Sequence, residues 1–214
     1  MNDFNSIIWD FDGVILNSNE IRSRGFEIIL KDFPKSQVEE LLNYHEQYGG
    51  LSRYHKLNYF FKIIRKENPI EEKILEYAFL FKKIMLDHLC NPDLLIKECI
   101  DFIKKNHSKY TFHIASGSDQ KELIQICKAL QIDHYFKSIN GSPTPKTALV
   151  KSILESSKIE KIRYVLIGDS QNDHDAARDN QIRFIAYNNT ALEKKYSFIS
   201  SFTPFIINNA KSDK

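Results

Sequence analysis

The chain has 214 residues, enough for one domain with an insert, and its 42% hydrophobic and 27% charged residues are ordinary for a globular protein. The formal net charge is only +2 and the charges are interspersed, which argues against a nucleic-acid partner, and no apolar run approaches the roughly 18 residues that span a membrane. The three cysteines, Cys90, Cys99 and Cys127, are too few and too scattered for a disulfide framework or a zinc site, so we expect a reducing, cytoplasmic location.

Four short apolar stretches are predicted to form strands of a parallel sheet. They are Ile7-Ile8-Trp9, which ends at Asp10, and residues 110–115, 164–167 and 183–187. Apolar residues at helical spacing predict helices over residues 57–64, 74–89, 95–103 and 123–130 and from Thr147 onward. Strands that alternate with helices indicate a doubly wound, Rossmann-like α/β sheet, which binds ligands beyond the carboxyl ends of its strands.

The long segment between the first and second strands predicts a second, smaller domain. About a hundred residues, mostly helical in pattern, lie there, far more than a strand-to-strand crossover needs. We interpret residues 18–92 as an all-helical cap and residues 1–17 and 93–214 as the α/β core. Pro92 disfavours helix at Asn91, which suits a return linker. The polar tail, residues 208–214, is predicted to fray.

Polar residues follow the first three predicted strands, and the carboxyl ends of parallel strands bring them into one crevice. They are Asp10, Asp12, Ser116, Gly117, Asp169, Asn172 and Asp173, and Lys146 lies upstream of the third strand. Asp10 and Asp12 repel each other unless a cation neutralises them, and oxygen ligands with room for water suit Mg²⁺. A phosphate group needs such a metal together with an ammonium, a hydroxyl and amide donors.

Four motifs, in this order, are similar to those of the haloacid dehalogenase superfamily of aspartyl-phosphate phosphatases. They are Asp10-Phe11-Asp12-Gly13-Val14, Ser116, Lys146 in Pro143-Thr144-Pro145-Lys146, and Gly168-Asp169-Ser170-Gln171-Asn172-Asp173. The helical insert after the first motif resembles the subgroup that contains phosphoglycolate phosphatases and β-phosphoglucomutases. One departure is Asn17 before Ser18, where the family often has aspartate.

The resemblance implies a role for each matching residue. Asp10 is the expected nucleophile, and Asp12 is expected to protonate the leaving oxygen and then to deprotonate the attacking water. The expected Mg²⁺ ligands are Asp10, the backbone carbonyl of Asp12, and Asp169, with Asp173 as a further ligand or a partner of the ligands. The expected phosphate-binding residues are Ser116, Gly117 and Lys146, with Asn172 nearby.

Asp12 also predicts the class of reaction. Dehalogenases and phosphonate hydrolases of the superfamily lack a carboxylate at this position, because they have no leaving alcohol to protonate. The resemblance therefore favours a Mg²⁺-dependent phosphatase acting on a small phosphorylated metabolite, such as a sugar phosphate. We expect a monomer or a weak homo-oligomer.

The loop Gly49-Gly50-Leu51-Ser52-Arg53 keeps a second activity open, because it resembles the cap loop of the mutases. Its two glycines are predicted to permit a tight turn, and Arg53 to clamp a substrate anion or sugar hydroxyls. A phosphomutase of the β-phosphoglucomutase type is therefore an alternative to a phosphatase. A non-catalytic phospho-acceptor or binding protein is a third alternative, although receiver-type domains are smaller and lack a cap.

Overall fold

The computed structural model describes residues 4–202 of the chain. Within them, the sheet has six parallel strands in the order β3-β2-β1-β4-β5-β6. The strands are β1 (Ser6–Trp9), β2 (Thr111–Asp119), β3 (Ser138–Ser142), β4 (Tyr164–Gly168), β5 (Arg183–Tyr187) and β6 (Phe198–Ile199). The predicted parallel α/β fold is confirmed, and β3 and β6 are strands that the sequence did not predict.

Helices cover both faces of this sheet. The core helices are α5 (Lys97–Asn106), α6 (Gln120–Ala129), α7 (Lys146–Glu155), α8 (Gln171–Asp179) and the short α9 (Thr190–Glu193). Side chains of α5 and α6 share one apolar cluster with Ile7 and Trp9, whereas those of α7 and α8 share another with Ile8. Alternate residues of a strand point to opposite faces, so the two clusters lie on opposite sides of the sheet.

The central strand β1 determines where the site lies. All four of its residues are buried, and fully burying a large apolar side chain contributes about 1.5–3 kcal/mol. Trp9 pairs with Ile114 of β2 and with Ile167 of β4. The next residue, Asp10, donates its backbone N–H to the Ile167 carbonyl at 2.9 Å. Asp10 therefore stands at the carboxyl end of the central strand.

The segment between β1 and α5 is helical, as the sequence predicts. It contains α1 (Asn19–Ile29), α2 (Lys35–Gln47), α3 (Arg53–Tyr59), a π-helical turn (Phe60–Ile64) and α4 (Glu71–Leu89). The rings of Phe26 on α1 and Phe81 on α4 pack with centroids 4.5 Å apart. The division into a cap over residues 18–92 and a core stays a prediction, and the predicted frayed tail lies outside the described residues.

The two connections between the helical segment and the sheet run side by side. The Asn17 N–H donates to the Leu94 carbonyl at 2.8 Å, and the Ile96 N–H donates to the Ile15 carbonyl at 2.9 Å. Asn91 accepts a hydrogen bond from the Asp93 N–H, which begins the short 3₁₀ turn at Pro92. Within residues 4–202, none of the helices combines the length and the apolar character that crossing a membrane requires.

Candidate active site

The buried carboxylate of Asp10 is the centre of the site. Asp10 is 3% exposed, and its Oδ1 accepts the Phe11 N–H at 2.7 Å. Lys146, the first residue of α7, places its Nζ 2.9 Å from the same oxygen and 2.5 Å from Asp173 Oδ1. Burial opposes the charge on Lys146, but the two neighbouring carboxylates raise its pKa above the ordinary value. Lys146 is therefore a permanent cation between the ends of β1 and β4.

Three carboxylates converge around this lysine. Asp10, Asp169 and Asp173 each offer an oxygen, and these oxygens lie within 4.8 Å of one another. Burial, and after it the charge of Asp173, raises the pKa of Asp10 well above its ordinary value and that of Asp169 to about 7. Hard oxygen donors crowded at this spacing fit a divalent cation such as Mg²⁺, which removes the repulsion that raises these pKa values.

Local structure fixes the orientation of two members of this cluster. Asp173 accepts the Ser170 backbone N–H at 3.0 Å and the Ser170 hydroxyl at 2.5 Å, which completes the first turn of α8. Gly13 has φ +75°, and a Cβ there would lie 2.0 Å from Asp169 Oδ2. Only glycine allows this backbone to pass so close to the Asp169 carboxylate.

Asp12, two residues from Asp10, has the opposite environment. Its Oδ1 accepts Arg22 Nε at 2.6 Å and the Ser18 hydroxyl at 2.5 Å, and its Oδ2 accepts the Ser118 hydroxyl at 2.6 Å. Burial favours the neutral acid, but Arg22 and the two hydroxyls prevail and lower the pKa of Asp12. The Asp12 side chain is therefore ionised, and it is not a member of the cluster of three carboxylates.

A buried ion network continues from Asp12 to the predicted cap residue Arg53. Arg22 Nη1 lies 3.0 Å from Glu122 Oε1, and Arg53 Nη2 lies 2.6 Å from Glu122 Oε2. Glu122 is fully buried, and the Arg53 guanidinium also stacks over the Phe81 ring at 4.7 Å. Arg53, buried within this network, occupies the boundary between the helical segment and the sheet domain.

The sequence did not identify Arg22, Glu122, Ser18 or Ser118 as site residues. Asp119 does accept the backbone N–H groups of Lys121 and Glu122, as expected of an N-cap. The Glu122 side chain, however, pairs with the two arginines. Ser18, which follows the departing residue Asn17, is a direct partner of Asp12.

The remaining predicted phosphate-binding residues lie beside the loop at residues 49–53. The Ser116 hydroxyl accepts the Ser118 N–H at 3.0 Å. Asn172 Nδ2 donates to the Gly50 carbonyl at 3.1 Å, and a Cβ at Gly117 would lie 2.4 Å from that carbonyl oxygen. The loop thus rests directly on two core loops. Phosphate binding by Ser116, Gly117 and Asn172 stays a prediction.

The glycine pair of this loop lies in the predicted tight turn, which the Leu51 N–H closes by donating to the Tyr48 carbonyl at 3.1 Å. Neither glycine has a positive φ, so the turn itself does not require glycine at either position. A Cβ on Gly50 would lie 2.8 Å from Ser170 Oγ and 2.9 Å from the Asn172 side chain, whereas one on Gly49 would meet nothing within 4 Å. Gly50 therefore allows close contact with the core.

A cavity of about 940 Å³ joins these groups, within the range of small-molecule sites. Core residues that line it include Asp10, Asp12, Gly117 and Asp169, and residues of the helical segment include His45, Arg53 and Lys56. The carboxylate cluster thus lines the cavity from the core, and Arg22, Arg53 and Lys56 line it from the helical segment, together with Glu20 and Glu46.

The sequence matches the model of the family described as haloacid dehalogenase-like hydrolase over residues 7–187. The chain belongs to the haloacid dehalogenase-like hydrolases. This membership confirms the predicted resemblance and the prediction of an enzyme of a hydrolase family. No curated protein sequence matches the chain significantly.

Solved structures of the same fold agree with this haloacid dehalogenase-like assignment. CbbY from Rhodobacter sphaeroides, in complex with phosphate, is 16% identical with a TM-score of 0.74, over 94% of this chain and 96% of CbbY. β-Phosphoglucomutase from Clostridium difficile is 16% identical with a TM-score of 0.75, and the match covers 97% of this chain and 96% of the mutase. A predicted phosphoglycolate phosphatase from Haemophilus somnus 129PT is 20% identical with a TM-score of 0.70, over 87% and 86%. At these identities the similarity establishes the fold alone.

Proposed function

We propose that this hydrolase is a Mg²⁺-dependent phosphatase that forms an aspartyl-phosphate on Asp10 while hydrolysing a small phosphate monoester. The observation that carries the proposal is the position of the Asp10 carboxylate. It is buried at the carboxyl end of the central strand, paired with Lys146, grouped with two further carboxylates, and open to a cavity of metabolite size.

Asp10 is the nucleophile of this proposal because its Oδ2 accepts no hydrogen bond from any group within residues 4–202. The structure gives Oδ1 two partners, the Phe11 N–H and Lys146 Nζ. Oδ2 attacks phosphorus, and the leaving oxygen departs on the opposite side. Lys146 stabilises the negative charge of the transferring phosphoryl group, together with the Ser116 hydroxyl and the Gly117 amide.

The residues that would hold Mg²⁺ are Asp10, the backbone carbonyl of Asp12, Asp169 and Asp173. The three clustered carboxylates fit such a cation, because each offers a hard oxygen donor and the three oxygens lie within 4.8 Å of one another. When bound, Mg²⁺ supplies positive charge that offsets the carboxylates and the phosphoryl oxygens. Asp173, whose two oxygens already accept from Lys146 and Ser170, orients those groups.

Asp12 is the acid and base of the proposal. Ionised in this structure by its contacts with Arg22 and two hydroxyls, it is ready to take a proton from the attacking water. To protonate a leaving alcohol it must first bind a proton and leave Arg22. The sequence of the two steps therefore requires the Asp12 side chain to change partners.

The direct test is release of phosphate from p-nitrophenyl phosphate with and without Mg²⁺. We expect Mg²⁺-dependent turnover by the native protein and its loss in Asp10→Asn. The exposed Asp179, on the far end of α8, gives a matched control, because Asp179→Asn should keep native activity. No turnover by the native protein, or full turnover by Asp10→Asn, contradicts the proposal and favours a non-catalytic role.

A phosphomutase is the second candidate, supported by the contact of the Gly50–Arg53 loop with the core. That contact holds the loop against the core at the cavity that Asp10 also lines. Water excluded by such a loop would favour return of the phosphoryl group to a sugar hydroxyl. Product analysis with a hexose 1-phosphate separates the two activities. Isomer without free phosphate indicates a mutase, and free phosphate indicates a phosphatase.

The physiological setting is part of the same proposal. The substrate is a small phosphorylated metabolite, the location is cytoplasmic, and the protein is a monomer or a weak homo-oligomer without a nucleic-acid partner. The nearly balanced charge and the scattered cysteines support this setting. Size-exclusion chromatography with light scattering measures the assembly state.

A further inference from the structure

Lys56 is a buried cation that the proposed reaction does not use. It lies on α3, is 2% exposed, and lines the cavity from the helical segment. Lysine is among the residues that proteins almost never bury without an ionic partner. Its position at the wall of the substrate cavity therefore requires an explanation.

The partners of Lys56 are both neutral. Its Nζ donates to Nδ1 of His45 at 2.6 Å and to the Gly49 carbonyl at 2.8 Å. Among residues 4–202, no carboxylate oxygen lies within 4 Å of this nitrogen, unlike the nitrogens of Arg22, Arg53 and Lys146. An ammonium group has three donors, so one N–H of Lys56 has no protein acceptor.

The electrostatics of this group agree with a charge that is only partly compensated. Burial, and after it the nearby Arg22 cation, lowers the pKa of Lys56 to about 7, although the carboxylates of Asp12 and Asp169 act in the opposite direction. Burial, followed by Lys56 itself, lowers the pKa of His45 to about 3, so the imidazole is neutral and acts as the acceptor. An anion at Lys56 would reverse this destabilisation of the ammonium form.

Unpartnered donors of two arginines lie on the same side of the cavity. Nε and Nη1 of Arg53 and Nη2 of Arg22 are buried and have no hydrogen-bond partner in the described structure. Both arginines also line the cavity. Buried donors of this kind are costly unless a ligand completes their hydrogen bonds.

We propose that Lys56 is a specificity-determining residue that binds a second anionic group of the substrate, a carboxylate or a further phosphate, on the helical side of the cavity. The proposal rests on the proposed phosphatase function and names the class of ester that the site prefers. The carboxylates on the core side then act on the scissile phosphate, while Lys56 holds the opposite end of the molecule.

The alternative role of Lys56 is structural: its hydrogen bond to the Gly49 carbonyl would hold the loop in place. A residue that only positions the loop affects kcat/KM equally for every substrate. An anion-binding residue affects only substrates that carry the second anion. The ratio of kcat/KM between matched substrates therefore distinguishes the two roles.

The experiment compares esters that differ only in the second charge. One pair is 2-phosphoglycolate and 2-hydroxyethyl phosphate, which tests a carboxylate, and the other is fructose 1,6-bisphosphate and fructose 6-phosphate, which tests a phosphate. We expect the native protein to prefer the doubly anionic member of at least one pair by about tenfold or more, as one charge-assisted hydrogen bond provides. We expect Lys56→Met to remove that preference while p-nitrophenyl phosphate is still hydrolysed.

Two variants serve as controls for folding and charge. Lys56→Gln keeps a donor for the Gly49 carbonyl without the charge, and should also lose the preference. Lys62→Met removes an exposed lysine from the adjoining π-helical turn and should leave the preference for the doubly anionic ester unchanged. Melting temperatures report whether each variant is folded.

Each other outcome overturns the inference. Native protein that hydrolyses the esters without preferring either doubly anionic member contradicts it, even if no variant folds. The inference is also contradicted if Lys56→Met or Lys56→Gln lowers kcat/KM equally for both members of a pair, or if either variant keeps the preference. If the native protein releases phosphate from no ester at all, the proposed function fails, and this inference fails with it.

Discussion

At the scale of single residues, Asp10 and Asp12 differ in the partners that burial leaves them. Asp10 lies among carboxylates with one lysine, and its pKa is raised, whereas Asp12 lies against an arginine and two hydroxyls, and its pKa is lowered. Two adjacent carboxylates with pKa values pushed in opposite directions suit two different chemical roles.

Arg22 is the residue on which the Asp12 environment depends most. Its guanidinium joins Asp12 to Glu122, and both carboxylates are largely buried. We expect Arg22→Met to lower the free energy of unfolding by about 3–5 kcal/mol, because both carboxylates lose a buried cation. Chemical denaturation measures this change. Arg24→Met, at an exposed position of the same helix, should change stability by less than about 0.5 kcal/mol, and equal effects of the two substitutions would refute the buried network.

Asp169 makes the affinity for Mg²⁺ depend on pH. Burial and Asp173 raise the pKa of its carboxyl to about 7, so the cation-free protein holds a proton there below that pH. Because the folded pKa is raised, the cation-free fold loses stability as the pH rises from the ordinary carboxyl pKa of about 4 to about 7, and the loss is complete above about 7. A bound cation relieves the repulsion of the ionised group. We expect Mg²⁺ to raise the melting temperature more at about pH 8 than at about pH 6. A larger rise at the lower pH would contradict the cluster as the cation site.

The residues of the catalytic cluster could be predicted from the sequence, and those of the opposite wall could not. Asp10 and Asp169 directly follow the buried strands β1 and β4, and Ser116 lies near the carboxyl end of β2, positions that parallel strands bring together. Arg22 and Lys56 lie on helices, where charged residues usually face water. Their burial depends on how the helical segment packs against the core, which periodicity does not reveal.

At the scale of elements, the sequence predicted those strands and helices whose apolar residues follow a clear pattern. β1 and β4 are buried throughout, and α4 has a long apolar stripe. β3 carries Asn140, Gly141 and two serines, a composition typical of turns, and β6 has only two residues. Helices α1 and α2 mix charged residues into their apolar faces, so the sequence indicated helical character there without locating either helix.

The loop that joins α2 to α3 provides a test at this scale. We expect Gly50→Ala to lower kcat/KM by about tenfold to a hundredfold, because the added methyl group pushes the loop away from Ser170 and Asn172. Gly49→Ala is the matched control, since the neighbouring position has open space and neither glycine has a positive φ. Steady-state kinetics on one ester measures both, and equal activities would show that the contact with the core does not matter.

At the scale of the whole molecule, the helical segment and the sheet domain contribute different chemistry to one cavity. The carboxylate cluster and Lys146 come from the ends of strands and the starts of helices in the core. Arg22, Arg53 and Lys56 come from α1 and α3 and line the same cavity, beside which the loop at residues 49–53 rests on Gly117 and Asn172. The two parts are joined by the paired connections at Asn17 and Leu94.

The covalent intermediate on Asp10 is the central claim, and Asp12→Asn tests it most directly. The p-nitrophenolate leaving group needs no protonation, so the first step should proceed in this variant, whereas hydrolysis of the intermediate should stall without the base. We predict a stoichiometric burst of p-nitrophenol and, after acid quenching, one phosphoryl group on the Asp10 peptide by mass spectrometry. Steady release without a burst, or a phosphoryl group on another residue, would contradict the account.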